Sequence, residues 1–179
     1  MATAPTLETR RLTLAAFADE YLTKRYVGWL NDPEVVRYSE QRHRRHTLSS
    51  CREFVGSFAG GPSHLWAIVE KERGLGHIGN INSAVDAPNR TADVAILIGE
   101  KKAWGRGLGA EAWMAVVDYL LGPGGMRKVT AGAMAENKAM LNIMNKAGMI
   151  EEGRRRGQFV LDGRAVDAIL TGRFAKGHG

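Results

Sequence analysis

Between Ile96 and Ala112 the chain reads Ile-Leu-Ile-Gly-Glu-Lys-Lys-Ala-Trp-Gly-Arg-Gly-Leu-Gly-Ala-Glu-Ala, so an apolar run, a short basic loop and the alternating glycines Gly105, Gly107 and Gly109 follow one another. Glycine at such positions lets the backbone come close to a ligand, and a helix starting after them opens with N–H groups that lack an intrahelical partner. Those donors and the positive end of the helix dipole form a site for phosphate oxygens, with Lys101, Lys102 and Arg106 adding charge at its mouth. Two familiar phosphate motifs do not fit. A P-loop wants Gly-Lys-Ser/Thr after its glycines, where this chain has Gly109-Ala110-Glu111. The dinucleotide pattern is matched by Gly105, Gly107 and Ala110, but it lies past mid-chain. The ribose-binding acid it needs about 20 residues on would fall in Gly124-Gly125-Met126-Arg127.

Few other residues have the spacing for catalysis or ligation. Cys51 is the sole cysteine, which excludes an internal disulfide and a cysteine-based zinc site; it fits the apolar stripe of a helix. His43 and His46 lie in an arginine-rich stretch with no carboxylate at metal-ligand spacing, so no metal is expected. His77, beside Gly76 and Gly79 in an apolar run, suits a structural histidine as well as a functional one. Two basic clusters remain: Arg37, Arg42, Arg44 and Arg45 against Glu40, and Arg154-Arg155-Arg156 ahead of a final hairpin. Each either meets an anion or is a solvated surface.

The elements that must position these residues follow from periodicity. A strand opens at Arg11 to Leu14. A helix carries Leu22, Tyr26, Trp29 and Leu30 and stops near Asn31-Asp32-Pro33. A second helix runs through Cys51, Phe54, Val55 and Phe58, with Thr47, Ser49 or Ser50 as cap and Gly60-Gly61-Pro62 as its end. Three strand-like runs, His64–Glu70, Gly76–Ser83 and Thr91–Ile98, are separated by short turns that favour antiparallel neighbours. The glycine turn leads into a helix through Trp113, Val116, Val117, Leu120 and Leu121, followed by a strand at Lys128–Ala133 and a helix at Asn137–Lys146. Asp162-Gly163 signals a closing hairpin. The order β-α-α-β-β-β-α-β-α-β-β makes an α+β (mixed α/β) fold around one sheet.

The chain has 179 residues, 44% hydrophobic and 25% charged, which predicts one folded domain over 1–179. A net charge of +6 favours anionic partners. No apolar run approaches the ~18 residues of a membrane helix and no signal segment opens the chain, so a cytoplasmic protein without a membrane partner is expected. Nucleic acid is not expected as a partner either, since no docking element accompanies the basic residues.

Trp104-Gly105-Arg106-Gly107-Leu108-Gly109-Ala110-Glu111-Ala112, set between a strand and a helix, resembles the acetyl-CoA-binding motif of the GNAT N-acetyltransferases, in the RimJ/RimL-like branch that includes amino-sugar acetyltransferases. Asn137 to Met149 is similar to that family's Asn-x-x-Ala helix, and Trp29 to Val35 to the first helices of the branch. The resemblance runs from Leu7 to Phe174. It implies a mostly antiparallel twisted sheet, flanked by helices, with a parallel strand pair that parts at a bulge around one acetyl-CoA. Backbone groups of Ile98, Gly99 and Glu100 would bond the pantetheine arm. Trp104, Gly105, Arg106, Gly107, Leu108, Gly109 and Ala110 would surround the pyrophosphate, and Asn137 would contact the cofactor through its side-chain amide. Met144 takes the position at which many relatives place a proton-donating Tyr beside the cofactor, and a thioether cannot donate.

The implied reaction is direct acetyl transfer to a primary amine, small molecule or peptide, which needs a base for the amine and a donor near the thioester carbonyl. Asp93 is the first candidate base, at the position of the catalytic glutamate of many relatives; Glu100 is a weaker one. Glu34, Arg37, Tyr38, Glu40, His77 and Asn80 are the acceptor-side candidates. Gly76 to Ile81, Ile96 to Gly99 and Asp162 to Leu170 look similar to amino-sugar acetyltransferases of surface-glycan pathways, which points to a nucleotide-linked amino sugar; protein N-terminal acetylation is the alternative. Relatives are often dimers, so a homodimer is compatible. Met144 also keeps open a non-catalytic CoA-binding module.

Overall fold

Alternating apolar residues and well-placed turns build a single eight-stranded sheet in the computed structural model, which describes residues 4–177. The strands are β1 (Leu7–Glu8), β2 (Leu12–Ala16), β3 (His64–Glu70), β4 (Gly76–Asp86), β5 (Thr91–Ile98), β6 (Lys128–Met134), β7 (Ile150–Leu161) and β8 (Arg164–Phe174). Their order across the sheet is β1-β2-β3-β4-β5-β6-β8-β7. Every pairing is antiparallel except that of β5 with β6.

That parallel pairing is short. Thr91, Ala92 and Asp93 face Lys128, Val129 and Thr130, after which the strands separate although each continues. The opening does not come from a bulge in β5, whose register with β4 is regular from Gly79↔Ile98 to Asp86↔Thr91. The irregularity sits between β3 and β4 at Ile68/Val69, where Ile78 is the extra residue. Its carbonyl accepts from both Gly99 N (2.9 Å) and Glu100 N (3.0 Å), so this bulge shapes the chain leaving β5.

Helices cover both faces. The apolar stripe of α3 (Leu108–Leu121) packs Trp113, Val116, Val117 and Leu120 onto Leu14, Trp66, Ile68, Ile81 and Val94, the main core, joined by α4 (Lys138–Lys146) through Met144. Each such fully buried side chain contributes roughly 1.5–3 kcal/mol. On the other face α1 (Lys24–Leu30) and α2 (Leu48–Gly56) bury Tyr26, Trp29, Leu30 and Cys51 against Leu97. Thr47 caps α2 in a capping box with Ser50, and Thr23 caps α1 by accepting from Tyr26 N at 3.2 Å. At the closing hairpin Asp162 (φ 49) and Gly163 (φ 74) are both left-handed, as a two-residue turn of this hand requires.

The element order agrees with the sequence pattern, with local corrections. The first strand begins at Leu12 rather than Arg11 and pairs with β1, too short to show periodicity. The second helix ends at Gly56, short of Phe58 and of the Gly60-Gly61-Pro62 stretch. Asn137 caps α4 rather than belonging to it. Arg154 to Arg156 lie inside β7 and do not precede the hairpin, because that strand runs twelve residues with irregular register.

Candidate active site

The glycine turn has the conformation its composition demands. Gly105 (φ 71) and Gly107 (φ 74) are left-handed, and a Cβ on Gly105 would meet only open space, so backbone dihedrals rather than crowding select glycine there. Gly107 is the N-cap of α3 and offers no side-chain acceptor to the helix. The first helical bond is Glu111 N to Gly107 O (3.1 Å), so the N–H groups of Leu108, Gly109 and Ala110 precede the ladder. Leu108 itself is fully buried, so the amides an anion can reach are those of Gly109 and Ala110. At Gly109 a Cβ would stand 3.4 Å from Ile98 Cγ1 and 3.6 Å from Ile143 Cδ1, ordinary contact distances, so neither crowding nor backbone hand demands glycine there.

The turn is fastened from outside by residues that no local pattern connects. Glu111, one turn into α3, accepts from Thr9 Oγ1 (2.6 Å), Arg11 N (2.8 Å) and Arg11 Nε (2.7 Å). Arg11 then donates from its guanidinium to Arg106 O inside the turn (2.9 Å) and lies 3.6 Å from where a Gly107 Cβ would be. Burial would push the Glu111 carboxyl up, but these bonds and the Arg11 charge outweigh it and hold it below the usual range. Arg106 approaches buried Glu70 at 3.7 Å, and Glu70 also gathers the amides of Arg73 and Leu75. Trp104, half-exposed, donates from its indole to Ile98 O at 2.8 Å, pinning the start of the turn to the end of β5.

Across the opened strand pair lies the face covered by α1 and α2. Here β4 and β5 present Asn80, Asn82, Ala95 and Leu97 to a cavity of about 460 Å³, closed on its other sides by Tyr26, Cys51 and the segment Gln41–His46. That size suits a small ligand. Asp93 shares the face of β5 with Ala95, roughly 7 Å further along the strand. It accepts from Thr130 Oγ1 at 2.8 Å at the last paired residue before the strands separate. Partial burial by the flanking strands pushes the Asp93 carboxyl above its ordinary range, against the lowering bond from Thr130.

Other expected residues are committed within the fold. Glu100 caps the following turn through Lys102 N and pairs with Arg25; burial pushes it up, yet these partners bring it below its usual value. Glu34 binds Lys101, which also binds Asp32 at 2.8 Å; Arg37 binds Asp162, stacks near Tyr38 and leaves that ring exposed; Glu40 binds Arg42. His77 sits among Phe17, Tyr21, Tyr26 and Trp29, its Nε2–H donating to Gly79 O at 2.9 Å. Burial drops its pKa to about 4. Gly99 is glycine because a Cβ would fall 2.0 Å from Trp29 Cδ2. Asn137 Oδ1 caps α4 through Met140 N (3.1 Å), which leaves Nδ2 for a ligand. Met144 lies in the core with no exposed surface, its Sδ accepting from Thr171 Oγ1 at 3.3 Å. It is therefore placed away from a ligand's reach, since α4 turns that position inward toward β8. Among the described residues no cluster of three metal-ligating side chains occurs, and no helix is long and apolar enough to cross a membrane.

Known proteins share this fold. Solved structures with the same fold include the RimL ribosomal L7/L12 alpha-N-protein acetyltransferase in complex with coenzyme A, 14% identical, TM-score 0.83, with 95% of this chain and 98% of that one covered. Spermidine N-acetyltransferase from Vibrio cholerae, in complex with CoA and spermine, is 17% identical with TM-score 0.82, covering 95% and 99%. The self-immunity acetyltransferase MccE, in complex with acetyl-CoA and AMP, is 16% identical with TM-score 0.78, covering 93% of each chain. The family model for the acetyltransferase (GNAT) domain matches residues 11–150, from the arginine that holds the glycine turn to the first residue of β7, and the chain thus belongs to the GNAT acetyltransferases as an N-acetyltransferase.

Proposed function

We propose that this enzyme acetylates a primary amine seated in the α1–α2 cavity, using acetyl-CoA held at the glycine turn and between the separated ends of β5 and β6. The observation that carries this is the short parallel pairing. It ends at Asp93, so the opening has phosphate-binding amides on its α3 side and a small-ligand cavity on the other. The turn fits the cofactor: left-handed Gly105 and Gly107, an uncapped helix N-terminus and Arg106 are what a pyrophosphate needs. The Ile98 amide and the Gly99 carbonyl are the backbone groups left for the pantetheine arm, since the Gly99 and Glu100 amides are spent on Ile78 O, and Asn137 adds its Nδ2.

Acetyl-CoA supplies an activated acetyl thioester when bound. Asp93 takes the proton released as the amine nitrogen bonds to the acetyl carbon and the carbon–sulfur bond breaks, directly or through one water. Burial raises its pKa above the ordinary carboxylate range, which makes it a stronger base than a solvated aspartate. Water, rather than α4, returns a proton to the departing thiol, because Met144 is buried and has none to give. One domain of about 7–174, acting in the cytoplasm as a monomer or homodimer, carries the whole reaction.

The finer reading is a nucleotide-linked amino sugar as acceptor, supported by the basic Gln41–His46 wall and by the AMP-bound neighbour. The RimL neighbour favours peptide N-termini instead. Release of CoA thiol with nucleotide-linked amino sugars, compared with peptides bearing free N-termini, separates the two. Activity with peptides alone would replace the sugar reading.

A further inference from the structure

The four arginines between Arg37 and Arg45 divide into two pairs with different fates. Arg37 is held by Asp162, and Arg42 by Glu40 (2.7 Å), Ser39 O (2.9 Å) and Val160 O (3.1 Å), which straps this segment to the β7–β8 turn. Arg44 and Arg45 have no acid or carbonyl partner for their guanidinium groups among the described residues, and both line the cavity. The positive end of α2 lies beside them: Thr47 is its N-cap, and Ser50 of its first turn borders the same space. Glu53 is the single acid in the lining, so Arg44 and Arg45 leave the wall with a net positive charge.

The floor adds an independent sign. Asn80 is 6% exposed, and its Oδ1 has no hydrogen-bond donor. A buried acceptor left without a donor is costly, which points to a ligand that supplies one. The other orphaned side-chain atoms, His64 Nδ1, Ser83 Oγ and Trp113 Nε1, lie on the α3 face of the sheet, so Asn80 stands apart as the cavity's own.

We propose that the acceptor is an amine that also carries an anionic group, its amine N–H meeting Asn80 Oδ1 and its carboxylate or phosphate meeting Arg44 and Arg45. The proposal rests on the acetyl-transfer reading and names the substrate class of that same site. Polyamines are disfavoured because every added ammonium faces the two guanidiniums, and neutral amines forfeit the second point of attachment.

The test uses the full chain and two readouts. Binding of glucosamine phosphate, glucosamine, β-alanine, β-alaninamide and spermidine is measured calorimetrically with CoA saturating, which keeps added anions off the pyrophosphate site. CoA release from acetyl-CoA is followed with the same amines. At least one anionic amine should bind about tenfold or more tightly than its neutral partner, and whichever does identifies phosphate or carboxylate as the anion. The double variant Arg44→Ala, Arg45→Ala, at two exposed positions, should erase that preference and leave the affinity for CoA unchanged. Asn80→Leu removes the orphaned oxygen, so it should raise the melting temperature while weakening the preferred amine by about tenfold. Equal binding of charged and neutral partners, no binding of any anionic amine, tighter binding of spermidine, or a preference that survives the double variant would each overturn the proposal. Charge-selective binding without CoA release for any amine would instead refute the acetyl-transfer reading and leave the anion site standing.

Discussion

Acidification from pH 7 to pH 4 puts the packing around His77 to a quantitative test. Aromatic rings of Phe17, Tyr21, Tyr26 and Trp29 surround its imidazole, and the nearest centroid, that of Tyr21, is 5.0 Å away. Burial, helped by the charge of Arg25 and opposed by the bond to Gly79 O, lowers the pKa from 6.5 to about 4. Between these values the unfolded chain binds a proton that the native one refuses, so stability rises with pH across the window and is lost as pH falls through it. At 1.36 kcal/mol per unit, about 3 kcal/mol should be lost by pH 4 through this group. Urea denaturation at half-unit steps of pH, on wild type and on His77→Gln, isolates that share, because the native carboxylates titrate in both proteins. The Gln side chain can still donate to Gly79 O. The reasoning is refuted if both proteins show the same pH slope between 6.5 and 4, or if the His77 ring protons titrate near 6.5 by NMR.

Three further outcomes concern the reaction. Gly107→Val forces a β-branched residue to φ 74 and crowds Arg11, so the KM for acetyl-CoA should rise at least about tenfold while that for the amine holds; steady-state kinetics with each substrate varied in turn would show it. Glu111→Gln leaves the Arg11 charge half-buried without its partner, at a cost of roughly 2 kcal/mol, and should loosen acetyl-CoA binding more than acceptor binding; thermal unfolding with and without CoA reads both effects. Asp93→Asn should lower kcat by about 10²–10⁴ and abolish the rise of rate with pH, which in wild type should have its midpoint above the ordinary carboxylate range. A variant that keeps the wild-type pH profile would remove Asp93 from the reaction.

What could be read along the chain was whatever depends on neighbours in sequence. The Asp162-Gly163 turn, the α3 stripe and the glycine turn ahead of it are decided within a few residues and stand where the pattern put them, while of the three caps the pattern allowed for α2 the fold selects Thr47. The clamp on that turn is different, since Arg11 and Glu111 are 100 residues apart and neither has a local signature. Equally hidden was the fate of the arginines: Arg37 and Arg45 look alike until the hairpin brings Asp162 to one and not the other. Asn80 was expected at the acceptor side through family likeness, but only the fold reveals that its oxygen lacks a donor. Met144 shows the converse, a position assigned by likeness whose side chain the helix turns inward.

The early parting of β5 and β6 leaves this sheet with four margins instead of two. Its outer margins are blunted against foreign strands: β1 is two residues long, and β7 carries Arg154, Arg155 and Arg156 beside breaks in its register. Its inner margins need no such protection. They converge on the Asp93–Thr130 pairing, where the gap is one strand spacing, about 4.8 Å, and an intruding polypeptide would need two. Hydrogen-bonding capacity that would invite aggregation along an open edge is thereby set inside the sheet, beside the apex of a wedge closed by the Asp93–Thr130 pairing.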